Sequence, residues 1–205
     1  SPLDSANNWC YINNRNKEII INVYKCAAPA SYFFKEPRKL RFILISAEGG
    51  EPMNISKFTQ KSVQAVQDLE KVAYEYGNQE IEQEHLLYTL LTQEDSLILK
   101  LIEKMEINKD YFIDTVKKAL DAKVKVSGGE LRFGQYLNKA LVNAEDEAKA
   151  MGDEYVSVEH LFLALLKYPS PGMKKIWNEF GITKERFLQA LSTVRGNQRV
   201  VSDNP

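Results

Sequence analysis

The chain has 205 residues, of which 44% are hydrophobic and 27% charged, a balance typical of a globular protein with a core of ordinary size. Its net charge of −1 excludes bulk electrostatic attraction to nucleic acid or to an anionic membrane surface. No apolar run approaches the roughly 18 residues needed for a membrane-spanning helix, and no signal peptide is visible.

Residues 1–52 differ from the rest and predict no domain of their own. Runs of β-branched and apolar residues at Ile19–Tyr24 and Leu40–Ser46 favour strands. Glu48-Gly49-Gly50-Glu51, just before Met53, can be spelled by a purine-rich string of the kind that binds ribosomes, which predicts Met53 as the natural start. The alternatives are a native extension, disordered or strand-adding, and a segment added artificially.

Both cysteines, Cys10 and Cys26, lie in this first segment. A disulfide framework or a thiolate metal site is therefore excluded from residue 53 onward. A cytoplasmic location is the simplest interpretation.

From Ser56 the hydrophobic period becomes helical. The apolar residues of the first predicted helix recur at three- and four-residue steps, at Val63, Val66, Leu69, Ala73 and Tyr76. Gly77 follows at a C′ position, where left-handed backbone angles favour glycine. Three more helices are predicted in residues 58–121: Glu84–Thr92, roughly Ser96–Met105, and one capped by Asn108 that carries Tyr111, Phe112 and Val116.

A connector over residues 122–132, with Gly128-Gly129 at its centre, leads to a second copy over residues 133–194. Residues 58–116 match residues 133–191 at a constant offset of 75 without a gap. Pairs that return at this offset include Phe58 and Phe133, Gly77 and Gly152, and Glu84-His85-Leu86 and Glu159-His160-Leu161. The later helices of this copy are predicted over Glu159–Lys167 after Ser157, over Gly172–Phe180, and after Thr183. The sequence therefore predicts an all-α fold of eight helices in two four-helix repeats, and a polar linker over residues 195–205.

The two histidines, His85 and His160, occupy equivalent positions next to Glu84 and Glu159. Adjacent residues on a helix project about 100° apart, whereas a helical zinc site needs its ligands on one face. The spacing disfavours a metal, and each histidine is expected to bond locally near the start of its helix.

Glu84 and Glu159 fall in the first turn of a helix, where the helix dipole stabilises a carboxylate. That structural role is sufficient by itself. The functional alternative is that both face a groove and attract cationic side chains.

No phosphate-binding loop of the form G-x-x-x-x-G-K-[ST] and no G-x-S-x-G elbow occurs in the sequence. Without nucleophile or acid–base pairs, a duplicated helical module is expected to bind a partner in the cleft between its halves rather than to catalyse.

These residues resemble the amino-terminal domain of Clp-type AAA+ chaperones. The resemblance covers about residues 53–195 and is carried by Phe58-Thr59, by the two Glu-His-Leu motifs, by Gly77 and Gly152, and by the constant offset. Residues 194–200, Val-Arg-Gly-Asn-Gln-Arg-Val, are similar to the start of the linker to the first ATPase ring in the ClpB-type disaggregases.

The resemblance implies pseudo-two-fold symmetry and recognition of unfolded or aggregated polypeptides, with adaptor proteins as a further class of partner. It implies a monomeric fragment, no cofactor in this fragment, and ATP and magnesium in ATPase domains of a hexameric parent. The substrate-binding positions it implies are Thr59, Asp153 and Glu159, with Glu84 in the other repeat. Leu141 is placed in the groove between the repeats, together with Ala65, Asn143 and His160.

The ClpC branch of the family suggests an alternative, a domain that binds adaptors or reads phosphorylated arginine and feeds a protease. That branch uses a threonine near the start of each repeat and the glutamate before each histidine. This chain keeps Thr59, Glu84 and Glu159 but has Gly134 at the second threonine position, so one of the two sites would be incomplete.

Overall fold

The computed structural model describes residues 9–14, 17–22 and 55–205. Strand β1 (Trp9–Asn14) pairs antiparallel with β2 (Lys17–Asn22), with Trp9 opposite Asn22. The predicted strand at Ile19–Tyr24 is confirmed as far as Asn22, whereas its partner β1 was not predicted. Tyr24, the strand predicted at Leu40–Ser46 and the predicted start at Met53 lie outside the described residues.

The all-α prediction is confirmed: the described residues form eight α-helices, four in each copy. A 3-10 turn (Ile55–Lys57) precedes them. The helices are α1 (Gln60–Glu75), α2 (Gln83–Thr92), α3 (Leu97–Lys104), α4 (Lys109–Asp121), α5 (Gln135–Ala150), α6 (Val158–Lys167), α7 (Pro171–Phe180) and α8 (Lys184–Arg195). The predicted caps hold, since the Asn108 side chain accepts from the Tyr111 N–H and the Thr183 side chain from the Arg186 N–H.

Both first helices end in the same left-handed turn. Gly77 has φ +69° and Gly152 has φ +71°, values that cost a residue with a Cβ roughly 1–2 kcal/mol. The next amide then reaches back to the helix: Asn78 N–H donates to Ala73 O and Asp153 N–H to Ala148 O, each at 2.9 Å. This turn delivers Asn78 and Asp153 to equivalent places beside the second helix of their own repeat.

The implied pseudo-two-fold symmetry is visible in the backbone pairing between the repeats. Strand β3 (Glu80–Ile81) pairs parallel with β4 (Arg132–Phe133), which places Ile81 beside Phe133. At the offset of 75, this pair maps onto Val156 and Phe58, which form the other bridge between the repeats, also parallel. The helix contacts exchange in the same way, because α1 packs on α6 as α5 packs on α2.

One core runs through both repeats. Its largest fully buried side chains include the equivalent pair Phe112 and Phe187, and Phe162. Phe162 stacks on Phe187 with ring centroids 4.4 Å apart and meets the edge of Trp177 at 5.1 Å. Because the core is shared, each half holds the other in place, and residues contributed by both repeats keep a fixed geometry.

Candidate functional site

Each histidine ties the loop after the first helix of its repeat to the start of the second helix. His85 Nδ1 accepts from the Glu82 N–H at 2.9 Å, and its Nε2 lies 2.9 Å from Asn78 Oδ1. In the second repeat, His160 Nδ1 accepts from the Ser157 N–H at 2.9 Å, and its Nε2 lies 2.7 Å from Asp153 Oδ2. Because each Nδ1 is an acceptor, the proton of the neutral ring lies on Nε2 and points at Asn78 or Asp153.

Both rings are fully buried, which disfavours the charged imidazolium. Burial, with a smaller contribution from nearby Lys123, lowers the pKa of His85 from 6.5 to about 4. Burial also lowers the pKa of His160, although Glu159 and Asp153 oppose the shift. The expected local role of both histidines is confirmed, and within residues 55–205 and the hairpin no cluster of histidine, cysteine and carboxylate side chains has the arrangement of a metal site.

Asp153 is the centre of a buried polar cluster. Its Oδ1 accepts from Arg195 Nη2 and, at 3.0 Å, from the Val200 N–H, while its Oδ2 accepts from His160. Burial raises the pKa of Asp153, but the bonds from Arg195, Val200 and His160 outweigh it and hold that pKa below its ordinary value. The first-repeat counterpart, Asn78, carries no charge; in that repeat the paired carboxylates are Glu82 and Glu84, whose Oε2 atoms each lie 2.7 Å from Lys123 Nζ.

Glu159 lies beside Asp153 and shares its cation, since Arg195 Nη1 is 3.4 Å from Glu159 Oε1. Its counterpart Glu84 has other partners: Lys123 Nζ lies 2.7 Å from Glu84 Oε2, and the Ser170 hydroxyl is 3.4 Å from Oε1. The functional alternative was that both glutamates face a groove and attract cationic side chains. Each glutamate does contact a cation. In this structure both cations come from the chain itself.

Thr59 is the N-cap of α1. Its side chain accepts from the Ser62 N–H at 3.3 Å, and its backbone N–H donates to Val156 O at 3.0 Å. Gly134, the N-cap of α5, donates in the same way to Ile81 O at 2.8 Å but has no hydroxyl to cap the helix. Thr59 therefore has a structural role whatever else it binds.

A cavity of about 400 Å³ joins Thr59 and Glu159. Its walls come from both repeats and include Leu97, Lys100, Val158 and Leu191. A second cavity, of about 470 Å³, lies on the first-repeat side and is lined in part by Asn78, Glu82 and Lys123. The offset relates the two in part, because Glu82 and Lys123 correspond to Ser157 and Gln198, which line the first cavity.

Residues 195–205, hereafter the strap, close the first cavity. They begin at the last residue of α8, and Arg195, Gln198, Val200 and Asp203 line the cavity wall. Val200 O accepts from the Glu154 N–H at 2.9 Å, and Asp203 O accepts from the Gln60 N–H at 2.7 Å. The prediction of a polar linker missed these contacts, because polar composition carries no signal for a segment that binds through its backbone.

The structure brings together three of the five predicted site residues. Thr59, Asp153 and Glu159 surround the strap, whereas Glu84 occupies the equivalent place in the first repeat. Leu141 was placed in the groove, but it is 2% exposed and lies in the core. An apolar position on α5 fits the core-facing stripe as well as a groove wall, so its role in binding stays a prediction.

The comparison with known families decides the assignment. The sequence matches the family described as Clp repeat (R) N-terminal domain over residues 57–180. The chain belongs to the Clp repeat N-terminal domain family. It is 40% identical over 159 residues to the chaperone protein ClpB of Nitratidesulfovibrio vulgaris, a match that covers 75% of this chain and 18% of that protein.

Solved structures agree on the fold of this Clp N-terminal domain. The N-terminal domain of Hsp104 from Candida albicans superposes with a TM-score of 0.63 at 22% identity, covering 72% of this chain and 97% of that one. A ClpV N-domain solved in complex with a VipB peptide gives 0.57 at 19% identity, covering 70% and 90%. These structures thus share the fold of this Clp N-terminal domain.

The family match confirms the prediction of a non-catalytic domain, and the chain spans about a fifth of the length of the ClpB relatives it matches. Among the helices that the structure describes, none has both the length and the apolar character needed to cross a bilayer.

Proposed function

We propose that this Clp N-terminal domain recognises unfolded or aggregated polypeptides weakly, at the site formed by Thr59, Asp153 and Glu159, and passes them to an ATPase ring elsewhere in its parent protein. One observation carries the proposal. Asp153 and Glu159 stand together beside a cavity to which both repeats contribute; they share the Arg195 guanidinium, and Asp153 also accepts from the Val200 backbone N–H. A client segment offers the same groups.

The chemistry favours clients that combine basic and apolar residues. Asp153 and Glu159 attract a cationic side chain, and Leu97, Val158 and Leu191 line the cavity beside them. Apolar contact contributes roughly 25 cal/mol per Å² removed from water, so a few hundred Å² leaves only weak binding after the entropy of association is subtracted. Several domains on one hexameric ring would raise the effective affinity without new contacts.

The comparison with ClpV supports peptide binding, since that N-domain shares the fold and was solved with a peptide bound. The ATP and magnesium chemistry, the hexamer and the cytoplasmic location belong to this proposal for the parent, as does the assignment of residues 53–194 to the domain. Glu84 is proposed as a second, weaker site, because Gly134 stands at the position equivalent to Thr59 and offers no hydroxyl.

One observation favours the alternative function, phosphoarginine reading, and another disfavours it in one of the two repeats. The guanidinium of Arg195 between Asp153 and Glu159 shows that an arginine side chain fits the second-repeat site. Beside the first-repeat site, Gly134 of the second repeat offers no hydroxyl, and Glu80 Oε1 and Ile81 O stand 3.0 and 3.3 Å from where its Cβ would lie. A phosphoarginine reader of this fold would therefore use one site.

The test is a fluorescence titration of the full chain with labelled, reduced and alkylated lysozyme, an unfolded basic client, and with a phosphoarginine peptide. Asp153→Asn and Glu159→Gln should each weaken client binding about tenfold, because a charge-assisted hydrogen bond contributes about 1.5–3 kcal/mol. Glu84→Gln should weaken client binding less than either of these substitutions. Glu103→Gln, which alters an exposed carboxylate paired with Lys109, is the matched control and should change nothing.

Thr59 needs a paired test because it also caps α1. Thr59→Ser keeps the cap, whereas Thr59→Ala removes it and costs stability as well. Unchanged affinity in Asp153→Asn, Glu159→Gln and Thr59→Ala alike would refute the proposed site. Tight binding of the phosphoarginine peptide with no binding of lysozyme would favour the alternative.

A further inference from the structure

The residues proposed to bind clients are covered in this structure. Thr59 is 2% exposed, Asp153 6% and Glu159 4%. A client therefore cannot reach the carboxylates as they stand, and something must move before the proposed site can act.

What covers them is the strap. The Arg195 guanidinium lies between Asp153 and Glu159, and its side chain is only 9% exposed. Five residues later, the Val200 N–H donates to Asp153 and the Val200 side chain is buried. The Asp203 carbonyl then accepts from Gln60, the residue after Thr59.

The strap thus contacts the site as a bound peptide would. It presents one cation to the acidic pair, one buried apolar side chain, and backbone groups that pair with Asp153, Glu154, Tyr155 and Gln60. These are the groups that the proposed function expects of a client.

The first repeat has a related segment, held by a different cation. After α4, the segment that follows Leu120 also turns back over the first-helix loop, where the Val126 N–H donates to Gly77 O. There Lys123, rather than an arginine, pairs with two carboxylates, Glu82 and Glu84, and the residue opposite the histidine is the uncharged Asn78. The guanidinium between two carboxylates is a property of the second repeat alone.

The strap also has the composition of a releasable segment. Apart from Arg195 and Val200, its residues are mostly exposed, so its release uncovers little apolar surface. Gly196, with φ +57°, lets the chain turn sharply after α8.

We infer that the strap is an internal occupant of the client site, and that an arginine-bearing client segment binds by displacing it. This inference rests on the proposed function and adds to it a ligand class and a form of control. An occupant that closes the site for about nine-tenths of the time lowers the apparent affinity about tenfold, because only the open fraction binds.

The experiment compares client affinity in three forms of the full chain, using labelled reduced and alkylated lysozyme. Arg195→Ala with Val200→Ser releases the strap and should tighten binding about tenfold. Lys109→Ala removes an exposed charge that does not line the cavity, and should leave affinity unchanged. Circular dichroism melting verifies that each variant is folded.

A second variant covers the case in which strap release unfolds the domain. In a background with Cys10→Ser and Cys26→Ser, Gln60→Cys and Asp203→Cys place two thiols where the backbones share a 2.7 Å hydrogen bond. Oxidation should lock the strap and abolish client binding, and reduction should restore it. A synthetic peptide of residues 195–205 should compete with the client in the reduced form.

The outcomes separate the two proposals. If the wild type and the released variant bind the client with equal affinity, or if the locked form binds as well as the reduced one, the inference is wrong while the proposed function stands. Weaker binding after release would make the strap part of the site rather than its occupant, which also overturns the inference. If neither form binds any client, the proposed function itself fails.

Discussion

Acid should destabilise this domain through its two buried histidines, with His85 as the clearer case. Both ring nitrogens of His85 are committed, one to the Glu82 N–H and the other to Asn78. Protonation would put a proton on Nδ1 against an N–H donor, in a place that water does not reach.

The size of the effect follows from the pKa. In the unfolded chain His85 takes up a proton near pH 6.5, whereas in the folded chain it does so near pH 4. Between these values the unfolded state binds more protons, so the free energy of unfolding falls as pH falls. A pKa lowered from 6.5 to about 4 corresponds to about 3 kcal/mol, fully present above pH 6.5 and lost by about pH 4. The lowered pKa values of His160 and Asp153 act in the same direction.

The assay is urea unfolding of the full chain at pH 7.5, 5.5 and 4.5, followed by circular dichroism. His85→Gln is the matched variant, because glutamine at the third helical position can still accept from the cap N–H but does not titrate. At pH 7.5 the variant should be less stable by about 1 kcal/mol, for the lost bond to Asn78. At pH 4.5 it should equal or exceed the wild type. An equally steep loss of stability with acid in both proteins would refute the reasoning.

Two further predictions concern the framework. Gly77→Ala should lower the free energy of unfolding by about 1–2 kcal/mol, because its φ is +69°, and Gly152→Ala should do the same; urea unfolding in which both match the wild type would contradict the left-handed turns. Phe162→Ala should cost about 3–5 kcal/mol, since the ring is fully buried between Trp177 and Phe187, whereas Tyr74→Ala, at a side chain 58% exposed, should cost far less. Similar losses at both positions would show that the shared core is not where the structure puts it.

The fold was largely predictable because its determinants are local and duplicated. Helical period, cap residues and Gly77 with Gly152 all act within a few positions, and the offset of 75 ties one half to the other. The two-residue strands β3 and β4 could not be predicted, because two residues are too few to show a hydrophobic period. Their pairing instead joins segments 52 residues apart in the chain.

The site was predictable in position but not in its partners. The duplicated glutamates mark where a carboxylate stands, but Lys123 and Arg195 do not correspond at the offset of 75, so repetition could not reveal the cations. The place of Leu141 was open, because an apolar stripe does not say whether it faces core or groove. The sequence did contain a signal for the strap. Asp153 stands where the first repeat has the uncharged Asn78, and a buried carboxylate at that position needs a cation to pair with it.

The central claim is that clients bind at the junction of Thr59, Asp153 and Glu159. The most direct test is to follow backbone amide NMR signals of the full chain while unlabelled reduced and alkylated lysozyme is added. We expect the largest shifts at Thr59, at 153–159 and along the strap, with little change at Glu103 and Lys109 on an exposed surface. Shifts concentrated elsewhere, or absent at saturating client, would contradict the account.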